Sequence, residues 1–430
     1  MVITGRAVAV IALCGVMTLV RPQWSTFWIY LLVITTILAI DWARAIAPKN
    51  LDLQRSGDTA ARVGDPAALT LALTNRSSRR FSGSVRDAWP PSAATSPRRH
   101  DLAIDSGDRR RVTTMARPTR RGPCHADRVT VRALGPWGLV GRQRSIQLPW
   151  RIDVLPPFNA RKHLPSKLAR LRDLEGRTIV LQRGQGTEFD SLREYVVGDD
   201  VRSIDWRATA RASDVMVRTW RPERDRHVLI VVDCGRTSAG RVGDAPRLDA
   251  AIESVLLLSA LAGRAGDRVD VLAWDRGVRG AVQGQSGADL MAATTSMLAN
   301  VNSSLMETDW LRLAAEITRR ARHRSLVVLL TALDPAPLRQ GALPVLPQLI
   351  GRHQVVVAAV SDPSVAQMLA DRGDLTATYR AAAAAGFGHE RRAVADQLTR
   401  SGVEVVDALP DDLAPALADR YLALKAAGRL

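Results

Sequence analysis

The residues of this chain best suited to chemistry are the carboxylates between positions 188 and 233. Glu188, Asp190, Glu194, Asp199, Asp200 and Asp205 alternate with Arg193, Arg202, Arg207, Arg211 and Arg218. Paired carboxylates at short range can exchange protons with a substrate or activate a water. Each of these has an arginine close by in sequence, so the same pattern also describes an ion-paired surface, and that is the reading we prefer. Asp233 ends the apolar run Val228-Leu-Ile-Val-Val. A carboxylate there lies at the end of a buried strand, where ligands of parallel sheets bind. A metal-dependent hydrolase built from the 188–205 acids and Asp233 is therefore one of two functions considered. No nucleophile elbow, P-loop, dinucleotide fingerprint or zinc-protease motif is present, and the seven histidines show no ligand spacing.

These residues need a scaffold, and the chain is long enough for two or three domains at 430 residues. From Arg226 onward strands alternate with helices. Val228–Val232, Val269–Trp274, Ser325–Leu330, Val355–Val360 and Val403–Val406 read as strands. Stretches 248–264, 288–298, 310–322, 380–385, 393–400 and 413–427 read as helices, and Val278–Val282 as an antiparallel edge. This predicts an α/β domain over 226–430 with a mostly parallel, doubly wound sheet. Residues 50–156 carry short alternating runs with Gly/Pro punctuation, as in Ala67–Asn75 and Arg128–Arg132, and predict a β-sandwich-like module. Between the two, 157–225 reads as a linker helix (Leu164, Leu168 and Leu171 among basic residues) followed by the acidic–basic segment.

The N-terminus predicts a membrane hairpin over 1–45. Ala7–Val20 and Trp24–Ile40 are apolar runs separated by Arg21-Pro22-Gln23. Each is somewhat short for a straight span, and Trp24, Trp28, Tyr30 and Trp42 suit interfacial belts. Arg6, Arg44, Lys49 and Arg55 flank the runs, against Arg21 alone in the connection, so both ends are expected in the cytoplasm, with the hairpin in the inner membrane. Cys14, Cys124 and Cys234 form neither a disulfide framework nor a metal spacing, in keeping with a reducing compartment. The net charge of +17 rests almost wholly on arginine. A nucleotide-composition bias and attraction to anionic lipid both account for it; nucleic acid is not expected, since no recognition pattern accompanies the charge.

One stretch resembles a known family. Gly186, Glu188, Phe189, Arg193, Tyr195, Gly198, Asp199, Asp200, Arg202, Asp205, Trp206, Thr209, Arg211 and Arg218, followed by the strand to Asp233, resemble the signature of the bacterial "domain of unknown function 58" family. The Arg-Arg-Gly turn at 120–122 and Gly135-Pro-Trp-Gly-Leu139 also resemble its β region. The resemblance implies a von Willebrand factor A-like domain and a membrane-anchored partner of MoxR-type AAA ATPases, an adaptor without catalysis of its own, working in assembly or maturation of envelope proteins. It also implies a Mg²⁺ site, D-x-S-x-S with a Thr and an Asp from later loops. Here the first loop reads Asp233-Cys-Gly-Arg-Thr237, so Gly235 removes one ligand. The later loop reads Thr331-Ala-Leu-Asp334, with Ala332 where an Asp is expected; the loop at 286–289 lacks the expected Thr. Asp233, Thr237, Thr331 and Asp334 are thus the candidate ligands of an eroded site, with Arg236 competing with a cation; the preferred reading is that Asp233 caps the following segment or pairs with a nearby Arg. Trp206 and Tyr195 are expected to be packing anchors.

Overall fold

A computed structural model describes residues 1–20, 23–181, 188–197, 199–212, 214–221 and 226–430. The chain forms two units, Met1–Pro157 and Phe158–Leu430.

In the first unit, strand β1 (Val2–Ile3) leads into helices α1 (Gly5–Val20) and α2 (Trp24–Arg44). Among the described residues only α2 is long and apolar enough to cross a membrane; α1 is a shorter apolar helix. Eight strands follow: β2 (Leu51–Gly57), β3 (Ala60–Arg62), β4 (Ala67–Asn75), β5 (Phe81–Asp87), β6 (His100–Ile104), β7 (Arg109–Ala116), β8 (Gly122–Leu134) and β9 (Val140–Leu155). They build one sheet ordered β1-β9-β8-β5-β6, with β3 beside β9, and a second ordered β2-β4-β7. Alternation explains the layering: Leu69, Leu71 and Leu73 point inward from β4, and Val129, Val131 and Ala133 from β8, so apolar side chains line the faces that meet. Strand β9 is 16 residues long, Val140–Leu155. Half-buried Ile146, Leu148 and Trp150 alternate with exposed Gln147, Pro149 and Arg151 on a long hairpin with β8, and exposed Gln143, Arg144 and Ser145 precede them, which hides the strand from a search for apolar runs.

The second unit opens with helix α3 (Leu164–Leu181), expected as a linker. It belongs to this unit instead: Leu171 is buried in its core beside Leu164 and Leu168, and Lys167 bonds Asp419 at 2.6 Å. Strands β10 (Glu188–Glu194) and β11 (Met216–Arg221) flank helix α4 (Trp206–Thr209) and form an antiparallel ribbon. The main sheet begins with β12 (His227–Asp233). After the short pair β13 (Arg241–Val242) and β14 (Ala245–Pro246) come α5 (Arg247–Arg264), β15 (Arg268–Trp274), β16 (Val278–Val282), α6 (Gly287–Asn300), α7 (Trp310–Arg320) and β17 (Leu326–Leu330). The turn α8 (Pro335–Pro337), α9 (Leu343–Ile350), β18 (Gln354–Val360), α10 (Pro363–Ala370), α11 (Leu375–Arg400), β19 (Glu404–Ala408) and α12 (Pro410–Ala426) complete it.

Strand order is β16-β15-β12-β17-β18-β19, parallel except for the edge strand β16. Val228, Ile230 and Val232 enter the core under α5 and α12, and Leu229 and Val231 the core under α7 and α9. Helices cover both faces, which is why the strands read as unbroken apolar runs. The two helical stretches expected at 380–385 and 393–400 are one helix, α11, of 26 residues. Its alanines favour continuation through Gly386 and Gly388. Arg391 also pins it, donating to Asp407 at 2.7 and 2.9 Å and to the Val360 carbonyl at 3.0 Å.

Candidate functional site

The centre of the main sheet ends on Asp233. Strand order reverses around β12, whose neighbours β15 and β17 connect in opposite directions, and such a switch opens a crevice at the carboxyl ends of the strands. Asp233 is 3% exposed. Its Oδ1 accepts from the Gly235 N–H at 2.9 Å and from the Thr308 hydroxyl. Its Oδ2 accepts from the hydroxyls of Thr331 at 2.6 Å and Thr237 at 3.3 Å. Burial pushes this carboxyl above its usual range, against the pull of those four donors.

The structure therefore brings Asp233, Thr237 and Thr331 together and adds Thr308. That threonine lies in the 301–309 stretch between α6 and α7, beyond the 286–289 loop where sequence suggested looking. The stretch reaches the strand ends through backbone bonds, Arg236 N–H to the Met306 carbonyl at 2.8 Å and Ser304 N–H to the Cys234 carbonyl at 2.7 Å. Spacing carries no sign of this; the one local clue is that Thr308 precedes Asp309, which caps α7. Gly235 is explained by the same geometry. A Cβ there would lie 2.1 Å from the Thr308 hydroxyl oxygen and 3.1 Å from Asp233 Oδ1.

Asp334 is engaged elsewhere. Both its oxygens accept from Arg247 Nη1, at 3.0 and 3.2 Å. Arg236, expected to compete with a cation, turns to Glu307 instead, with nitrogens 2.6 and 2.7 Å from one carboxylate oxygen. Among the described residues no group of three or more His, Cys, Asp or Glu side chains is placed to share a metal. What remains at the sheet edge is one carboxylate and three hydroxyls, all hard oxygen donors. The three hydroxyls donate to Asp233; were a hard cation such as Mg²⁺ bound, Asp233, Thr237, Thr308 and Thr331 would be the residues to hold it, with Asp233 supplying the charge.

The acidic–basic segment folds as the β10–β11 ribbon. Gly186 and Gly198 lie outside the described residues. Glu188 and Phe189 pair with Arg221 and Trp220 across the ribbon. Asp199 accepts from Arg193 Nη2 at 2.6 Å and from the Val196 N–H at 3.0 Å, and these bonds hold its carboxyl below the usual range. Asp200 caps a 3₁₀ turn through the Arg202 N–H at 3.0 Å. Asp205 caps α4, its Oδ1 accepting from the N–H groups of Arg207 and Ala208, while Oδ2 accepts from Arg218 Nε at 2.8 Å. Its carboxyl is likewise held low, by the Ala208 N–H first and Arg218 next. Thr209 accepts the Met216 N–H at 3.0 Å, and Tyr195 donates its own N–H to Val215 at 2.8 Å. Arg211 is exposed.

Trp206 corrects the expectation of a packing anchor. It is 69% exposed, because α4 is a single turn fixed by the Asp205 cap rather than by its tryptophan. Tyr195 is half-buried. Val196, Val197 and Val201 are also exposed, Val197 at 94%. The ribbon thus shows exposed apolar side chains among exposed charged ones such as Glu194, Arg202, Arg207 and Arg211.

An uncharacterized protein of Mycobacterium bovis and one of Mycobacterium tuberculosis (strain H37Rv) are each 26% identical over 211 residues, 47% of this chain. The match spans 63% of the length of each. Among solved structures, the CARDB domain of the PF1109 protein from Pyrococcus furiosus is similar at 13% identity and a TM-score of 0.20, over 26% of this chain and 90% of that one. An alpha-2-macroglobulin fragment from Escherichia coli is similar at 18% identity and a TM-score of 0.21, over 24% of this chain and 16% of that one. Neither score bears on the fold. Residues 191–380 match the family described as "Protein of unknown function DUF58", a span that runs from the ribbon through the Asp233 edge into α11. Over that segment the chain is similar to the DUF58 family.

Proposed function

We propose that this chain is a membrane-anchored interaction protein, without catalysis of its own, that docks a cytoplasmic MoxR-type AAA ATPase during assembly or maturation of envelope proteins. The observation that carries the interaction reading is the exposed apolar side chains between β10 and β11. Val196, Val197, Val201 and Trp206 are exposed in one segment with exposed Arg193, Arg202, Arg207 and Arg211, a mixture of apolar and charged side chains that suits a contact surface. The identity of the partner rests on the family resemblance. The von Willebrand factor A-like reading of the second unit is supported by its strand order and by the carboxylate that ends its central strand. The inner-membrane location is supported by the apolar helix α2. Cytoplasmic ends are supported by the basic residues that flank the two runs. A metal-dependent hydrolase is the less favoured reading, since Asp199 and Asp205 are committed to arginine pairs and helix caps.

The test is crosslinking and affinity capture with the detergent-solubilised full chain, in Mg²⁺ and in EDTA. Wild type is compared with Val197→Asp, Trp206→Ala and Asp233→Ala. The expected result is an AAA ATPase recovered by wild type and lost with Val197→Asp and Trp206→Ala, at unchanged melting temperature. Loss in EDTA or with Asp233→Ala alone would move the contact to the sheet edge. Recovery of no ATPase by wild type would sink the proposal.

A further inference from the structure

The two ends of the N-terminal hairpin close on one turn of the β-unit. Asp41, in the last turn of α2, is completely buried. Its Oδ1 accepts from the Trp137 N–H and its Oδ2 from the N–H groups of Leu139 and Val140, each at 2.9 Å. Gly135 leaves room for it; a Cβ there would lie 2.3 Å from Asp41 Oδ1. At the start of α1, the Thr4 hydroxyl lies 2.8 Å from the Gly138 carbonyl and 3.0 Å from that of Leu139. Val2 and Ile3 extend the sheet beside Gly141 and Val140. The turn at 135–139 is therefore fixed against the base of the hairpin.

Length then sets where that base lies. At 1.5 Å per residue α1 spans about 24 Å, and α2 from Trp24 to Asp41 about 27 Å. The hydrocarbon layer is about 30 Å thick. A hairpin shorter than the layer draws its flanks inward, and the turn bound to its base follows. Strand register puts the turns at 76–80 and 105–108 at the same end, since Gly83 pairs with Ala133 and Phe81 with Ile104. That end displays two tryptophans, Trp137 at 46% and Trp42 at 41% exposure. The Arg142 guanidinium stacks 4.3 Å over the Trp42 ring. Asp52 and Asp105 are paired with Arg76 and Arg80. Among the described residues, no carboxylate lies within ion-pair distance of Arg6, Arg44, Arg79 or Arg142.

We propose that this end of the first unit is a binding platform for anionic phospholipid headgroups. Trp137 and Trp42 sit in the interface, and Arg6, Arg44, Arg79 and Arg142 contact lipid phosphates, the placement that tryptophan and arginine favour at a membrane surface. The platform rests on the reading that the hairpin crosses the membrane.

The experiment uses the full chain in a C14A/C124A/C234A background, reconstituted into phosphatidylcholine vesicles with and without phosphatidylglycerol. A fluorophore is placed through Trp137→Cys or, at the opposite end of the unit, Arg120→Cys. Doxyl-labelled lipids are expected to quench position 137 at least threefold more than position 120, and at least twofold more when phosphatidylglycerol is present. Equal quenching at the two positions overturns the platform, and indifference to phosphatidylglycerol overturns its anionic preference. Flotation after an alkaline wash separates the two ideas: a chain that fails to float removes the membrane reading, whereas one that floats without quenching at 137 removes only the platform. With native cysteines, phosphatidylglycerol co-purified per chain is expected to fall at least twofold in the Arg79→Glu/Arg142→Glu variant. An unchanged amount also overturns the proposal.

Discussion

Asp41 and Asp233 are both nearly invisible to solvent, one in each unit, yet the donors around them are of different kinds. Asp41 accepts three backbone N–H groups of a single turn. Asp233 accepts one backbone N–H and three threonine hydroxyls drawn from three loops. A backbone N–H can only donate, and its direction is set by the chain. A hydroxyl rotates, and can offer a lone pair to a cation as readily as a proton to a carboxylate. The first arrangement is a fastening with one state. The second can exchange its network for a metal ion, or for a partner's donor, without moving the backbone.

The largest expected effect tests that contrast directly. Asp41→Ala orphans three donors in a buried turn and is expected to destabilise the first unit by about 3 kcal/mol. Asp233→Ala leaves hydroxyls free to turn to other acceptors and removes a carboxyl that burial disfavours, so about 1 kcal/mol is expected in the second unit. Urea midpoints read separately for the two units check this, and equal losses would break the comparison. Next comes Gly235→Ser, which restores the residue that the resembled metal motif carries but crowds Thr308. A loss of about 2 kcal/mol is expected from the clash. It should be largely recovered in the Gly235→Ser/Thr308→Ala double variant, since space rather than chemistry excludes the serine.

A smaller effect would sharpen the idea of an exchangeable network. Mg²⁺ at ten times its dissociation constant should stabilise the wild-type second unit by about 1.4 kcal/mol, through preferential binding to the folded state. Asp233→Asn should show no such shift in a thermal melt with Mg²⁺ against EDTA. The subtlest signature is a slope. Because the folded-state pKa of Asp233 is raised, the folded state keeps its proton longer. Its contribution is therefore fully present below the ordinary value of 3.8 and is lost as pH rises through the raised one. Asp270, on β15 of the same sheet, has the opposite sign. Burial pushes its carboxyl up, but the His227 hydrogen bond, the Gly284 N–H and the charges of His227 and Arg268 outweigh this and leave it low. Its contribution is present above 3.8 and lost as pH falls through the lowered value. Unfolding free energy against pH for Asp233→Asn should lose the falling slope, and for Asp270→Asn the acid-side loss.

The same contrast marks how far the residues could be read in advance. Val228–Val232 and Ser325–Leu330 announce themselves as strands covered on both faces, because every position is apolar. Asp233 is conspicuous as the carboxylate that ends such a run, and Thr331 stands in the corresponding place after β17. Thr308 is not conspicuous, because only the path of the 301–309 stretch over the strand ends brings it to Asp233. Asp334 looks available in sequence and is not, because Arg247, 87 positions earlier, takes both its oxygens. Asp41 gave no sign of a structural role, since its three donors lie almost a hundred residues away.

Residue order alone determined the periodicities: apolar runs near the N-terminus, alternation in the β region, and strand–helix alternation after position 226. It also determined the charge pattern of the ribbon, whose Asp205 cap and Arg193–Asp199 pair form between near neighbours. Only the tertiary structure decided which buried carboxylate meets backbone and which meets hydroxyls, why position 235 holds a glycine, and that Trp206 faces solvent. Those outcomes depend on which distant loops share a sheet edge or a turn. Local propensity acts over a few residues, whereas these contacts are set by packing across the whole unit.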